Sequence, residues 1–343
     1  MKKISLGNTD YKVSRIGFGG IPISRLEYNE AVNVVQRCIN MGINFIDTAV
    51  AYGDSELKIG EAIYGYDVVL ATKSQSRDAA GIEKDVKASL SRLKTDFIHL
   101  YQLHGVNNAE ILKSVTAKEG ALDGLKKMKD EGCIGAIGIT GRRAEVLSDA
   151  LKTGEFETVQ VPYNFIETEP EKVLFPLSRE MKTGIIAMKP FGGGALENAD
   201  LALKYILKHK NIVPIPGIGK IEEMRENCSI AEGKATLSAA EKKHMLEISK
   251  ELGKNFCRRC GYCMPCPQDI QIIRAMNARL FIKRLGLKSF MDRQGSEFIE
   301  RIKTCTRCGQ CESRCPYNLP IRNIIAGNGE YLESVLLQYG NNS

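Results

Sequence analysis

The 343-residue chain is 26% charged and 43% hydrophobic, enough apolar mass for one large core and a smaller companion, which excludes a disordered polypeptide. Its 48 basic residues against 41 acidic ones leave a net charge of +7, too modest and scattered to indicate a nucleic acid partner. No apolar run approaches the roughly 18 residues of a membrane span, and Met1-Lys2-Lys3 is followed by no apolar core of a secretory signal. A cytoplasmic protein with no membrane partner is expected.

In chain order, Lys3 to Leu6 and Tyr11 to Ser14 flank the turn-forming Gly7-Asn8-Thr9-Asp10, which predicts a hairpin suited to closing a barrel floor. Short β-branched runs then alternate with amphipathic helical stretches, the pattern of parallel strands joined by crossover helices. Strands are predicted at Arg15 to Phe18, Ile43 to Asp47, Val68 to Thr72, Phe97 to Leu103, Ile134 to Ile139, Thr158 to Val161, Ile185 to Met188 and Ile212 to Ile215. Eight βα units in about 250 residues match a closed (β/α)8 TIM barrel of α/β class, with a doubly wound open sheet as the other architecture. Gly105 to Thr116 reads as a longer insertion and Ser238 to Leu252 as an added helix. The expected division is a barrel over 1–250 and a small cysteine-rich module over 251–343.

Residues just beyond the C-terminal ends of barrel strands surround one mouth, so polar residues there are the candidates for chemistry. Asp47 ends the second predicted strand, Tyr52 follows in its loop, Lys73 follows the third and His104 the fourth. With period two, Phe45 and Asp47 share a face, as do Ala71 and Lys73, and as do Leu100, Gln102 and His104. Each polar residue caps an inward apolar row. The set suits carbonyl reduction, in which hydride adds to carbon and a proton goes to the oxygen as negative charge develops there. Tyr52 is the expected acid, its pKa lowered by Lys73, which Asp47 holds, while His104 orients the carbonyl oxygen. The alternative is an ordinary rim ion pair beside a packed aromatic. His99 lies on the opposite strand face and reads as structural.

The last two predicted strands run into glycine-rich loops, Lys189-Pro190-Phe191-Gly192-Gly193-Gly194 and Pro216-Gly217-Ile218-Gly219-Lys220, the second followed by a predicted helix from Ile221 to Ile230. Barrels bind phosphate on backbone amides at these two units, so a phosphate-bearing cofactor is expected. Through Asp47-Thr48-Ala49, Tyr52-Gly53, Ala71-Thr72-Lys73, His104 and Ile215-Pro216-Gly217, residues 1 to about 235 resemble the aldo-keto reductase superfamily. That resemblance implies a catalytic tetrad of Asp47, Tyr52, Lys73 and His104 and a nicotinamide dinucleotide, usually NADPH. It also implies cofactor contacts from Gln160, Lys189, Phe191, Gly192, Gly217, Gly219, Lys220, Glu226 and Asn227, the last two near adenine. Three positions depart from the family pattern: Thr140-Gly141 replaces a frequent Ser-Asn, Met188 replaces the tyrosine that stacks on nicotinamide, and Glu223 replaces an arginine for the 2′-phosphate. A carboxylate at 223 opposes that phosphate, which keeps NAD open as the alternative to NADP.

The cysteine runs are Cys257-x2-Cys260-x2-Cys263-x2-Cys266-Pro267 and Cys305-x2-Cys308-x2-Cys311-x3-Cys315-Pro316, the arrangement that wraps three thiolates round one face of a cubane cluster. In two-cluster ferredoxins the fourth cysteine ligates the opposite cluster. One 4Fe-4S site therefore takes Cys257, Cys260, Cys263 and Cys315, and the other takes Cys305, Cys308, Cys311 and Cys266. Zinc is the competing ligand for four-cysteine sites. Helices are expected at Ile270 to Gly286 and Glu297 to Lys303, and the segment resembles a helical two-cluster ferredoxin-like module, as in a branch of the aldo-keto reductases that carries one at its C-terminus. Eight basic residues from Arg274 to Lys303 could dock a small acidic electron-carrier protein, although a solvated face with packed stems is the preferred reading.

The leading reading is an NAD(P)H-dependent oxidoreductase acting on a small-molecule aldehyde or ketone, its clusters serving electron transfer or structure. The competing class is an iron-sulfur electron-transfer or redox-sensing protein whose barrel binds dinucleotide without turnover. Hydride carries two electrons together whereas a cluster ordinarily takes one, and no flavin motif is evident to link them.

Overall fold

The computed structural model describes residues 1–291 and 295–340. The chain separates into two compact units, Met1–Lys242 and Lys243–Ser343. The first opens with the expected hairpin, β1 Lys3–Ser5 antiparallel to β2 Lys12–Ser14. Eight parallel strands follow: β3 Phe18–Gly19, β4 Phe45–Asp47, β5 Val69–Ser74, β6 Ile98–Leu103, β7 Ile134–Thr140, β8 Thr158–Pro162, β9 Gly184–Met188 and β10 Ile212–Ile215. They pair in sequential order from β3 to β10. Backbone bonds from Gly17 N–H to Pro214 O (2.9 Å) and Gly19 N–H to Pro216 O (2.8 Å) join the first strand region to the last, so the sheet closes as a barrel.

The period-two rows point inward as expected. Phe45, Val69, Ala71, Leu100, Ala136, Ile186, Val213 and Ile215 form one buried cluster, and Leu6 and Val13 of the hairpin region complete it as the floor. Gly7 makes that floor fit. At φ +62° it lies so close to β9 that a Cβ would stand 2.2 Å from the Gly184 nitrogen. Its turn also brings Tyr11 edge-on to His99, with ring centroids 5.2 Å apart, on the outer face where His99 was expected.

The crossover helices have local reasons to start where they do. Asp78, Asn108 and Asn198 each accept a hydrogen bond from the amide three residues on, opening helices Ala79–Leu93, Ala109–Thr116 and Ala199–Leu207. The first barrel strand begins later than predicted. Arg15, buried at the strand's approach, turns its guanidinium to the carbonyls of Leu207, His209 and Ile212, and the backbone at Arg15 bonds to Lys2. A segment tied to two neighbours outside the sheet cannot extend the ladder.

The second unit is helical, with helices Ile272–Met276, Ala278–Leu285, Leu287–Met291, Gly295–Lys303, Gln310–Ser313 and Ile321–Gly340. Its own core gathers Ile272, Met276, Phe298, Ile302, Leu319, Ile325 and Leu332. The stretch expected as one helix from Ile270 to Gly286 is broken at Asn277, whose side chain bonds back to the Ile273 carbonyl at 2.8 Å. Three of the eight basic residues are packed or paired: Arg274 stacks over Phe290 and Phe298, Arg279 over Tyr331, and Lys303 pairs with Glu300 and Glu333. Arg293, and the side chains of Arg284 and Lys288, lie outside the described residues. Among the described residues no helix is long and apolar enough to cross a membrane.

Candidate active site and cysteine pockets

Asp47 ends β4 and Lys73 lies near the end of the adjacent β5, both with the inward parity of their strands. The Lys73 ammonium is buried and donates to Asp47 Oδ1 and to the Thr48 carbonyl, each at 2.6 Å. Gln102, two residues before His104 on the same inward row, donates to the other Asp47 oxygen at 3.3 Å. The loop after β4 is then laid across the end of β5 by bonds from Thr48 N–H to Ala71 O and from Val50 N–H to Lys73 O, so Tyr52 arrives above the ammonium. Lys73 Nζ is 5.0 Å from the centre of the Tyr52 ring. His104 completes the group from β6, its ring edge-on to Tyr52 with centroids 6.0 Å apart. The four residues expected at the mouth converge.

Burial would lower the Lys73 pKa, but the Asp47 carboxylate and Tyr52 outweigh it and hold the ammonium above its ordinary value. One expectation is corrected. Burial pushes the half-buried Tyr52 phenol above its usual value of 10.0, and Lys73 opposes this without reversing it. The loss of water around the hydroxyl outweighs the nearby cation, and the result at neutral pH is a protonated phenol, the form a proton donor needs. His104 is driven to about 3, by burial first and then by the charges of Lys73, Arg142, Arg77 and Lys189. Its imidazole is neutral throughout the physiological range.

The His104 shift has a stability consequence. Because the folded chain refuses a proton that the unfolded chain accepts below 6.5, this residue costs stability progressively as pH falls from 6.5 toward 3. Between pH 7 and pH 5 the cost reaches about 1–2 kcal/mol. The variant His104→Gln should therefore lose less stability over that interval than the native chain in urea unfolding, and parallel losses would show that His104 takes no part.

The predicted cofactor residues lie on the neighbouring ends of β8, β9 and β10. Gln160 of β8 is buried beside Asp47, whose carboxyl burial pushes above its ordinary value against the opposing Lys73 charge and the hydrogen bonds of Lys73, Gln102 and Gln160. The Lys189 charge reaches His104, and its backbone at φ +55° starts a tight turn in which Gly192 N–H bonds to the Lys189 carbonyl at 2.9 Å, with Phe191 inside the turn. Gly192, Gly193 and Gly194 all have positive φ, which explains the triplet. Gly217 bridges to Gly19 beyond the end of the sheet. Asn227 is buried on helix Ile221–Glu232, where its neighbour Glu226 is exposed.

The loop after β10 shows something the sequence did not. The Glu223 carboxylate accepts from the Gly219 and Lys220 amides, at 2.8 and 3.0 Å, so the helix start is capped by the chain's own anion. Thr140 is likewise occupied, accepting from the Gly105 amide at 3.0 Å. Sequence reasoning also passed over Arg77. Its guanidinium donates to the His104 carbonyl at 2.9 Å and fixes the strand end, a loop contact for which no periodicity gives warning.

Three buried polar atoms here, His104 Nδ1, Gln160 Oε1 and Asn227 Nδ2, have no hydrogen-bond partner among the described residues. Polar atoms are seldom buried unsatisfied, so these fit a ligand with its own donors and acceptors. Residues 15–201 match the family model described as the aldo/keto reductase family. The chain belongs to that family. It is an oxidoreductase, followed by a region, residues 256–320, that matches a 4Fe-4S dicluster domain. The oxidoreductase YqkF of Bacillus subtilis is 31% identical over 217 residues, covering 59% of this chain and 68% of that protein. The NADH-specific methylglyoxal reductase of Escherichia coli is 26% identical over 329 residues, covering 74% of this chain and 99% of that protein. Among solved structures, an aldo-keto reductase of Bacillus halodurans in its holo form superposes with a TM-score of 0.63 at 27% identity, covering 72% of this chain and 96% of that one. An aldo-keto reductase from Klebsiella pneumoniae in complex with NADPH shares the fold at 23% identity and TM-score 0.62, covering 72% and 95%.

The cysteines of the dicluster region stand round two pockets. One is lined by Cys257, Cys260, Cys263 and Cys315, together with Tyr317 and Ile321. The other is lined by Cys263, Cys266, Cys305, Cys308 and Cys311. Cys315 thus stands with the first run and Cys266 with the second, while Cys263 borders both pockets. The guanidinium of Arg314 donates to the carbonyls of Met264 and Pro265, both at 3.1 Å, and ties the two runs together.

Proposed function

We propose that this aldo/keto reductase reduces a small aldehyde or ketone with a nicotinamide dinucleotide, with Tyr52 as proton donor, His104 orienting the carbonyl oxygen, and Asp47 and Lys73 setting the charge beneath them. The observation that carries this reading is the buried Lys73 ammonium, locked at 2.6 Å to Asp47 and directly under Tyr52. A nicotinamide cofactor supplies the hydride when bound. Gln160, Lys189, Phe191, Gly192, Gly217, Gly219, Lys220, Glu226 and Asn227 are the residues proposed to hold it. Neutral His104 and protonated Tyr52 offer two donors to one oxygen, where negative charge accumulates as the carbonyl is reduced. Lys73 keeps its own proton, because Asp47 holds it, and stabilises a phenolate left behind by proton transfer.

NADP is the proposed nucleotide, with NAD as the alternative. Relatives support both, one named as NADH-specific and one solved with NADPH. Glu223 weighs against the 2′-phosphate, its carboxylate holding two amides at the helix start, and so keeps NAD as the alternative. The test is anaerobic turnover of a panel of aldehydes and ketones with each nucleotide. The native chain should turn over at least one carbonyl, and Glu223→Arg should move the ratio of kcat/KM values about tenfold or more toward NADPH, the effect of exchanging a repulsive carboxylate for an attractive guanidinium near a phosphate. No turnover with either nucleotide would refute the enzymatic reading, and an unchanged ratio would remove Glu223 as the discriminator.

The cysteine region is proposed to carry two 4Fe-4S clusters, on Cys257, Cys260, Cys263 and Cys315 and on Cys266, Cys305, Cys308 and Cys311. The reading is supported by the cysteines that line each pocket, Cys263 bordering both. Their proposed role is exchange of single electrons with a small carrier protein in the cytoplasm.

A further inference from the structure

The two cysteine pockets differ in how they meet solvent. Of the eight cysteines, Cys308 alone is exposed and lines only the second pocket, whereas the buried Cys263 borders both. The rim around Cys308 is also unusual in charge. Arg314 and Arg322 line that pocket and no acidic residue does. Arg307, between Cys305 and Cys308, is exposed and donates to the neutral Asn323 side chain at 2.8 Å. Arg314 gives its hydrogen bonds to backbone carbonyls and the side chain of Gln310, all neutral. The carboxylate in this group is Glu312, and it is bound to Arg322 at 2.6 Å. Among the described residues of this group three guanidinium groups thus meet one carboxylate, Glu312, whose charge also acts on Arg307, and the balance beside the exposed thiol is positive.

We infer that this face, centred on Cys308 and Arg307, is the docking surface for an acidic one-electron carrier protein, and that the Cys266, Cys305, Cys308 and Cys311 site is the port through which electrons pass. The inference rests on the proposal that the region carries clusters. A cluster with four thiolate ligands is anionic and would repel an acidic carrier. Arg307 and Arg314 offset that charge, and the exposed ligand gives the shortest path between redox centres. Charge complementarity of this kind sets encounter rates more than final affinity, and salt screens it. The basic run from Arg274 to Lys303 is not the surface in question, because Arg274 and Arg279 stack on aromatic rings and Lys303 is paired with carboxylates.

The test uses the full chain with its clusters reconstituted anaerobically and counted by iron and sulfide. Reduction of the clusters is followed by stopped-flow absorbance with two reductants: a reduced acidic plant-type ferredoxin, and reduced methyl viologen, a small cation that needs no docking face. With the ferredoxin, the native second-order rate should fall steeply as salt rises, and Arg307→Glu should lower it about tenfold or more at low salt. Arg307→Lys should restore most of the rate, while reduction by the viologen should not be slowed by either substitution. A ferredoxin rate unaffected by Arg307→Glu in a cluster-loaded protein would overturn the docking surface while leaving the clusters in place. If Arg307→Glu lost its clusters, the salt dependence of the native rate would decide, and a flat dependence would overturn the inference. Failure of the native chain to take up iron and sulfide would instead overturn the cluster proposal beneath it.

Discussion

Replacing Tyr52 with phenylalanine should lower the rate of carbonyl reduction by about 10²–10⁴-fold while leaving nucleotide affinity close to native. The substitution removes one oxygen and keeps the ring that stands edge-on to His104 and 5.0 Å above the Lys73 ammonium. Packing and the buried ion pair should survive, so a loss of rate reports proton delivery rather than collapse of the site. Burial holds the phenol above its ordinary pKa, so the native rate should show no alkaline decline before the usual range of tyrosine. Single-turnover stopped flow with NADPH fluorescence measures both quantities on one sample. A native rate in the variant would remove Tyr52 as donor.

The second large effect concerns stability. Asp47→Asn leaves the Lys73 ammonium buried with only neutral acceptors, the Thr48 carbonyl among them. Breaking a buried pair by neutralising one partner costs about 3–5 kcal/mol, because the remaining charge keeps its desolvation penalty. The pH dependence separates this from a packing defect. In the native chain Asp47 raises the Lys73 pKa, so the stabilisation is complete below the unfolded lysine value and is lost as pH rises through the folded one. In the variant burial acts unopposed by that carboxylate and depresses the lysine, so the variant recovers as pH rises toward 10. The deficit in urea unfolding should be greatest near neutrality and narrow at high pH. A deficit independent of pH would point to packing alone.

What the sequence made legible followed from strong periodicities. The inward rows through Phe45, Ala71 and Leu100 placed Asp47, Lys73 and His104 at the correct strand ends, since a period of two leaves little freedom in a closed barrel. The gathering of the cysteines round two pockets was legible because the spacing of each run keeps its thiols close together. Contacts between loops were not. Arg77 on the His104 carbonyl and Glu223 on the Gly219 amide depend on where separate turns meet, which no local pattern encodes. Helix Ile321–Gly340 had no predicted counterpart, and its apolar spacing is interrupted by Gly327 and Gly329, which weaken a helical signal. The sign of the Tyr52 shift was missed because a nearby cation can be read from order along the strands, whereas desolvation depends on everything packed around the hydroxyl.

The central claim is that Tyr52 and His104, above the charge set by Asp47 and Lys73, act on a single carbonyl oxygen. A crystal structure of the ternary complex with NADPH and an unreactive carbonyl analogue measures this directly. The account predicts that oxygen within hydrogen-bonding distance, about 2.6–3.2 Å, of both the Tyr52 hydroxyl and a His104 ring nitrogen. A carbonyl held away from both groups while the nucleotide occupies the mouth would contradict it.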